Sequence, residues 1–141
     1  MGITTVLNDK GRAVAAVSPD SAVAEIVTVL VQRRIGAVLV IEDGLPVGIV
    51  SERDIIRCLG EHAGGVMDLK AREVMTAPVI TIRPDDSICD AMELMTDRRI
   101  RHLPVVESGN LVGIVSIGDL VKAVIEDQQV ELDQLQRYIA S

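Results

Sequence analysis

Aromatic residues are almost missing from this chain of 141 residues: there is no Trp and no Phe, and Tyr138 is the one aromatic side chain. A core of stacked rings is excluded, so any core must come from Val, Ile, Leu, Ala and Met. Such a core suits β-strands packed against helices. Positive charge is scarce as well. Fourteen Lys and Arg against 21 Asp and Glu leave a formal net charge of −7, which opposes nucleic-acid binding, since that binding depends on clustered cations neutralising phosphates. Cysteine is limited to Cys58 and Cys89, both in stretches with helical periodicity and neither with a Cys or His partner at metal-ligand spacing. No disulfide framework and no metal site are expected, and each thiol is read as buried and inert in a reducing cytosol. Long apolar runs are absent too, none approaching the roughly 18 residues of a membrane span. The opening "MGITTVLNDKGRAV" has neither a basic leader nor an apolar stretch of signal-peptide length. The expectation is a soluble, cytoplasmic protein without membrane association.

What the sequence does contain is itself, twice. "GIVSERD" at 48–54 returns as "GIVSIGD" at 113–119. With a shift of 65, positions 17–59 align without a gap to 82–124, and 14 of the 43 pairs are identical. Internal duplication is therefore the strongest signal in the chain.

Each copy reads the same way from its periodicity. "SPDSAVAEIVTVLVQRRI" and "RPDDSICDAMELMTDRRI" begin with Pro-Asp, carry acidic side chains early and apolar ones at helical spacing, and end at an Arg pair suited to the negative end of a helix dipole. "AVLVIEDGLPVGIV" and "LPVVESGNLVGIV" are β-branched runs around a Gly-containing turn, the pattern of a hairpin. A second helix opens at Ser51 and at Ser116. Short strands "AVAAV" and "PVITI" precede the first helices and complete a β-α-β-β-α order in each copy. Between the copies, Gly64-Gly65 breaks a helix and "LKAREVM" predicts a short one. The expected division is a first repeat at 10–62, a joining stretch at 63–76, a second repeat at 77–125 and a helical extension at 126–141. From the end of the second repeat into that extension, Val121, Ile125, Gln128, Leu132, Leu135 and Ile139 recur at four- and three-residue steps. Such a seam packs on the chain's own body or on a second copy.

Two readings of the repeated Ser-x-x-Asp stand side by side. A Ser at the helix N-cap with an acidic side chain three residues on is a capping box, worth roughly 1 kcal/mol. The same helix start offers N–H groups and a positive dipole to a phosphate, and a carboxylate there can accept both hydroxyls of a ribose. Gly48 and Gly113 allow close approach of a backbone or ligand.

Taken together, "VMTAPVITIRPDDSI", "RRIRHLPVVESGNLVGIVSIGDLV", "VAAVSPDSAV" and "RRIGAVLVIEDGLPVGIVSERDII" resemble a tandem pair of CBS domains, the cystathionine β-synthase regulatory module. The likeness runs from about Lys10 to Val124. It implies an α/β (α+β) fold of two β-α-β-β-α repeats packed with pseudo-two-fold symmetry, two equivalent clefts, and a homodimer. It also implies an adenosine-containing ligand: AMP, ADP, ATP, NAD(H) or S-adenosylmethionine. Carried over residue by residue, Asp54 and Asp119 hold ribose hydroxyls and Ser51 and Ser116 lie near phosphate. Gly36, Ala37, Val38 and Arg101, His102, Leu103, Pro104 meet adenine, and Ala16, Val17, Thr81 and Ile82 line the clefts. The copies differ where Arg53 faces Gly118 in the alignment and where Arg101 and His102 replace Gly36 and Ala37. Arg53, Arg101 and His102 are thus phosphate candidates, and unequal affinities are expected. The first copy also departs from the pattern in having Leu39 for Pro104 and Ala16 for Thr81.

No nucleophile–base–orienter set and no HExxH-like spacing is present, so an enzyme is not expected. The expectation is a non-catalytic adenine-nucleotide sensor that signals to its own dimer or to a separate effector protein. The alternative is an adaptor or dimerisation module whose clefts are vestigial.

Overall fold

The computed structural model describes residues 2–140. Its elements are α1 (Ile3–Lys10), β1 (Ala16–Val17), α2 (Val23–Arg33), β2 (Ala37–Glu42), β3 (Leu45–Ser51), α3 (Glu52–His62), a 3-10 turn (Val66–Asp68), α4 (Ala71–Val74), α5 (Ile88–Arg98), β4 (His102–Glu107), β5 (Asn110–Ser116) and α6 (Ile117–Ala140). The chain divides into two compact units. One comprises 13–80 with Ser108–Leu111; the other comprises 2–12, Thr81–Glu107 and 112–140. We call them the Asp54 unit and the Asp119 unit.

In the Asp54 unit, β1 runs parallel to β2 and β3 antiparallel to it, with Ala16 opposite Leu39 and Ala37 opposite Ser51. The β2–β3 turn is tight because Asp43 and Gly44 both take positive φ, 53° and 79°, the backbone a two-residue hairpin loop demands. Val38, Val40 and Val50 form the core with Val23, Ile26 and Leu30 of α2 and with Ile55 and Cys58 of α3. The spacing of 23, 26 and 30 keeps one face of α2 on the sheet. Each fully buried aliphatic side chain contributes roughly 1.5–3 kcal/mol.

The Arg pairs end their helices by division of labour. Arg33 and Arg98 stand in the last turns, while Arg34 and Arg99 adopt left-handed backbone, φ 53° and 56°, and return their N–H groups to carbonyls of the preceding turn. That is the stop usually made with Gly.

Several expectations shift. The first helix of each copy begins at Val23 and Ile88 rather than at Pro-Asp, which forms a preceding turn. "AVAAV" narrows to the two residues of β1, and "PVITI" makes no strand, only an isolated bridge between Ile82 and Val105. The cause is Pro104. Leu39 N–H donates to the Ala15 carbonyl at 3.0 Å, but Pro104, at the matching position, has no N–H to give. The ladder on β4 therefore starts one rung later, with Ile82 N–H on the Pro104 carbonyl at 3.0 Å and Val106 N–H on the Ile82 carbonyl at 2.8 Å. Cys58 is buried as expected, but Cys89 is exposed, because it lies on the outer face of α5.

In the Asp119 unit, Ile3–Lys10 form α1, of which the sequence assigns only Lys10, to the first repeat. Ile3 and Leu7 are fully buried, and Ile3 N–H and Thr4 N–H donate to the Asp86 and Pro84 carbonyls at 3.1 and 3.0 Å. The start of the chain is thus built into the unit of the second repeat. At the other end, α6 buries Leu120. Leu132, Leu135 and Ile139 are exposed, so the extension does not pack on the chain's own body. No helix among the described residues is long and apolar enough to cross a membrane.

Candidate functional site

The two carboxylates of the repeated phrase occupy the same local geometry. Ser51 caps α3: Asp54 N–H donates to Ser51 Oγ at 3.3 Å, and Ser51 N–H donates to Asp54 Oδ2 at 2.8 Å. Ser116 does the same before α6, with Asp119 N–H to Ser116 Oγ at 3.2 Å and Ser116 N–H to Asp119 Oδ2 at 2.8 Å. The capping reading therefore holds in both copies. Neighbouring amides are spent as well, since Glu52 N–H donates to the Gly36 carbonyl at 3.0 Å and Ile117 N–H to the Arg101 carbonyl at 2.9 Å. What these helix starts offer an anion is mostly their dipole.

Beyond the cap the copies diverge. Asp54 is only 4% exposed, accepts two further hydrogen bonds, from Ser51 Oγ at 3.0 Å on Oδ2 and from Thr76 Oγ1 at 2.9 Å on Oδ1, and pairs its charge with Arg57 at 3.1 Å from Oδ1. Of the roughly four acceptor positions of a carboxylate, Asp54 uses three in hydrogen bonds within its own unit, with Arg57 against Oδ1 as its counter-charge. Asp119 has a side chain 25% exposed and receives Lys10 Nζ at 2.6 Å on Oδ2. Lys10 Nζ also donates to the Ile114 carbonyl at 2.8 Å. Burial, the largest single influence, pushes the Asp119 carboxyl up; the hydrogen bond from Lys10, the Ser116 N–H, the Lys10 charge and the Ser116 hydroxyl together outweigh it and hold the group below the usual carboxylate range.

The repeated glycines make room for these arrangements. A Cβ on Gly48 would lie 2.8 Å from Met75 Cγ, and one on Gly113 would lie 2.7 Å from Leu7 Cδ2. Met75 directly precedes Thr76, and Leu7 lies one turn before Lys10. In each unit, then, a glycine in a strand admits the segment that delivers a donor to the carboxylate.

The remaining predicted residues fall around these turns. In the Asp54 unit, Gly36 and Ala37 adjoin Ser51 through the hairpin register, and Ala16 and Val17 lie on the next strand. In the Asp119 unit, Arg101 and His102 adjoin Ser116 and Ile117, with Ile82 bridged beside Pro104 and Val105 and Thr81 exposed next to it. Val17, Val38, Ile82 and Leu103 are buried, so they offer backbone rather than side chain. Arg53, Arg101 and Gly118 are exposed and His102 is half-buried. Sequence reasoning missed Lys10, Arg57 and Thr76. Thr76 stands within the quoted "VMTAP", and Lys10 at the very start of the likeness, but nothing local ties either to its carboxylate. Among the described residues no cluster of three or more His, Cys, Asp or Glu could hold a metal ion.

Comparison with known proteins agrees with this architecture. The sequence profile of the CBS domain matches residues 10–61 and 71–126. The chain is 34% identical over 146 residues to the mitochondrial CBS domain-containing protein CBSX3 of Arabidopsis thaliana, covering 97% of this chain and 71% of that protein. The crystal structure of the CBS-domain containing protein ATU1752 from Agrobacterium tumefaciens superposes with a TM-score of 0.84 at 37% identity, covering 86% of this chain and 92% of the other. A CBS domain protein from Pyrobaculum aerophilum, PAE2072, solved in complex with AMP, superposes with a TM-score of 0.74 at 29% identity, covering 84% and 89%.

Proposed function

Since the chain belongs to the CBS-domain family as a tandem pair, we propose that it is a non-catalytic, cytoplasmic regulatory module that binds an adenosine nucleotide through the Asp119 turn. The observation that carries this reading is the contrast between the carboxylates. Both stand at a helix start, but Asp54 is buried and engaged on both oxygens by its own unit, whereas Asp119 is partly exposed and held on Oδ2 by the Ser116 N–H and Lys10. A ribose diol needs an accessible carboxylate, and Asp119 supplies it. The AMP complex of the Pyrobaculum relative supports the ligand class. Arg101 and His102 are the proposed phosphate contacts, with Ser116 beside them and the backbone of Leu103 and Pro104 toward the base. Ser51 and Asp54, with Gly36, Ala37, Arg53, Ala16 and Val17, form the weaker counterpart.

The module is also proposed to act as a homodimer. Leu132, Leu135 and Ile139 are exposed on α6 at coiled-coil spacing, a pattern that a second copy covers. Signalling then follows from any difference in ligand affinity between two arrangements of the dimer.

A thermal-shift panel of AMP, ADP, ATP, NAD, NADH and S-adenosylmethionine tests the reading, because a ligand that binds only the folded state raises its melting temperature. At least one nucleotide is expected to stabilise the protein, and Asp119→Ala to weaken its binding by about tenfold or more, as loss of a charged hydrogen-bond acceptor does. Undiminished binding by Asp119→Ala removes the assignment. Light scattering on the same samples is expected to give twice the chain mass; a monomer would remove the dimer and leave the binding claim intact.

A further inference from the structure

Lys10 lies at the very edge of the CBS match, and yet its ammonium lies closest to the proposed sugar acceptor. Its position is built in. Ile3 and Leu7 anchor α1 by full burial, and Leu7 packs against the bare backbone of Gly113. The helix therefore ends where Lys10 reaches both Asp119 Oδ2 and the Ile114 carbonyl. Both partners of the pair are largely covered, with side chains 29% and 25% exposed.

A diol that takes Asp119 must compete with that ammonium or share the carboxylate with it. If the ligand is neutral, Lys10 loses part of its anionic partner in a place where water only partly replaces it, and that loss opposes binding. A ligand that brings its own anion next to the sugar returns the missing charge. A sulfonium ligand adds a second cation instead. We propose that Lys10 is a specificity-determining residue of the Asp119 site, selecting nucleotides with an anionic group adjacent to the ribose over neutral nucleosides and over cationic S-adenosyl compounds. This rests on the reading of Asp119 as the diol acceptor. At the Asp54 turn the cation, Arg57, comes from the same helix and sits beside a neutral hydroxyl donor, Thr76.

Titration calorimetry of the full chain with AMP, adenosine and S-adenosylmethionine is the test, on the wild type and on Lys10→Met, which keeps the apolar stem. Wild type is expected to prefer AMP to adenosine by about tenfold or more, and Lys10→Met to lose most of that ratio as AMP weakens and adenosine gains. Lys10→Gln, which retains a donor without charge, is expected to behave like Lys10→Met and serves if the latter does not fold. On the wild type alone, the preference should shrink with added salt. An AMP to adenosine ratio unchanged in the variants, with Asp119→Ala still weakening AMP, overturns the role of Lys10 and spares the site. AMP binding that ignores Asp119→Ala overturns both.

Discussion

The Asp54 and Asp119 turns share one sequence pattern and one backbone geometry, yet they differ in what each carboxylate is free to do. Asp54 is almost fully enclosed and bound by Ser51, Thr76 and Arg57. Asp119 keeps a quarter of its side-chain surface and leans on Lys10. Duplication preserved the cap; the segments threaded against each copy then set the carboxylate's role. On the proposed reading, a capping box and a ligand contact are compatible uses of the same two residues, separated by how many donors the rest of the unit brings.

The contrast can be broken most directly at the carboxylates. Asp54→Ala strands the Ser51 N–H, the Thr76 hydroxyl and the Arg57 guanidinium, and is expected to cost about 3 kcal/mol in denaturant unfolding, typical of removing one partner from a buried charged network. Asp119→Ala is expected to cost about 1 kcal/mol or less, as for a partly exposed pair. Equal losses would mean that the two turns do the same work.

The glycines sharpen the same comparison. Gly48→Ala meets Met75 at Cβ and Cγ as well as at sulfur, atoms close to its backbone, whereas Gly113→Ala meets chiefly the tip of Leu7. A loss of about 1–3 kcal/mol is expected for Gly48→Ala and a smaller one for Gly113→Ala, which a pair of thermal melts would measure.

The smallest effect is a pH dependence. The Asp119 carboxyl is held below its ordinary value, so the folded state favours its ionised form. Its stabilisation is complete above the ordinary carboxylate pKa and is lost as pH falls through the depressed folded value. The stability gap between wild type and Asp119→Asn should therefore be widest at neutral pH and close below about pH 4. A gap that widens on acidification would contradict the Lys10 contact.

Much of this was legible in the residues. The shift of 65 pairs Ser51 with Ser116 and Asp54 with Asp119 from the sequence alone. The Asp43-Gly44 turn came out as read, while the Ser-Gly-Asn turn shortened to Ser108-Gly109, with Asn110 opening β5; all four turn residues take positive φ. Other features were legible only in part. The Arg pairs were correctly assigned to helix ends, but the left-handed turn of Arg34 and Arg99 was not visible. The lost strand before α5 was encoded in Pro104, a residue the sequence reading noticed and assigned to adenine contact without drawing the missing N–H. The exposed state of Cys89 was missed because burial is a matter of which helix face meets the sheet.

By itself, the order of residues determined the duplication, the helices of the two repeats, the hairpins and the two capped carboxylates, because periodicity, turn chemistry and capping act over a few neighbouring positions. Only the tertiary structure decided that α1 joins the unit of the second repeat and which donors reach each carboxylate. Thr76 meets Asp54 across 22 positions, and Lys10 meets Asp119 across 109. Such contacts depend on where buried side chains such as Leu7 and Met75 find room against a glycine, and no local pattern records that.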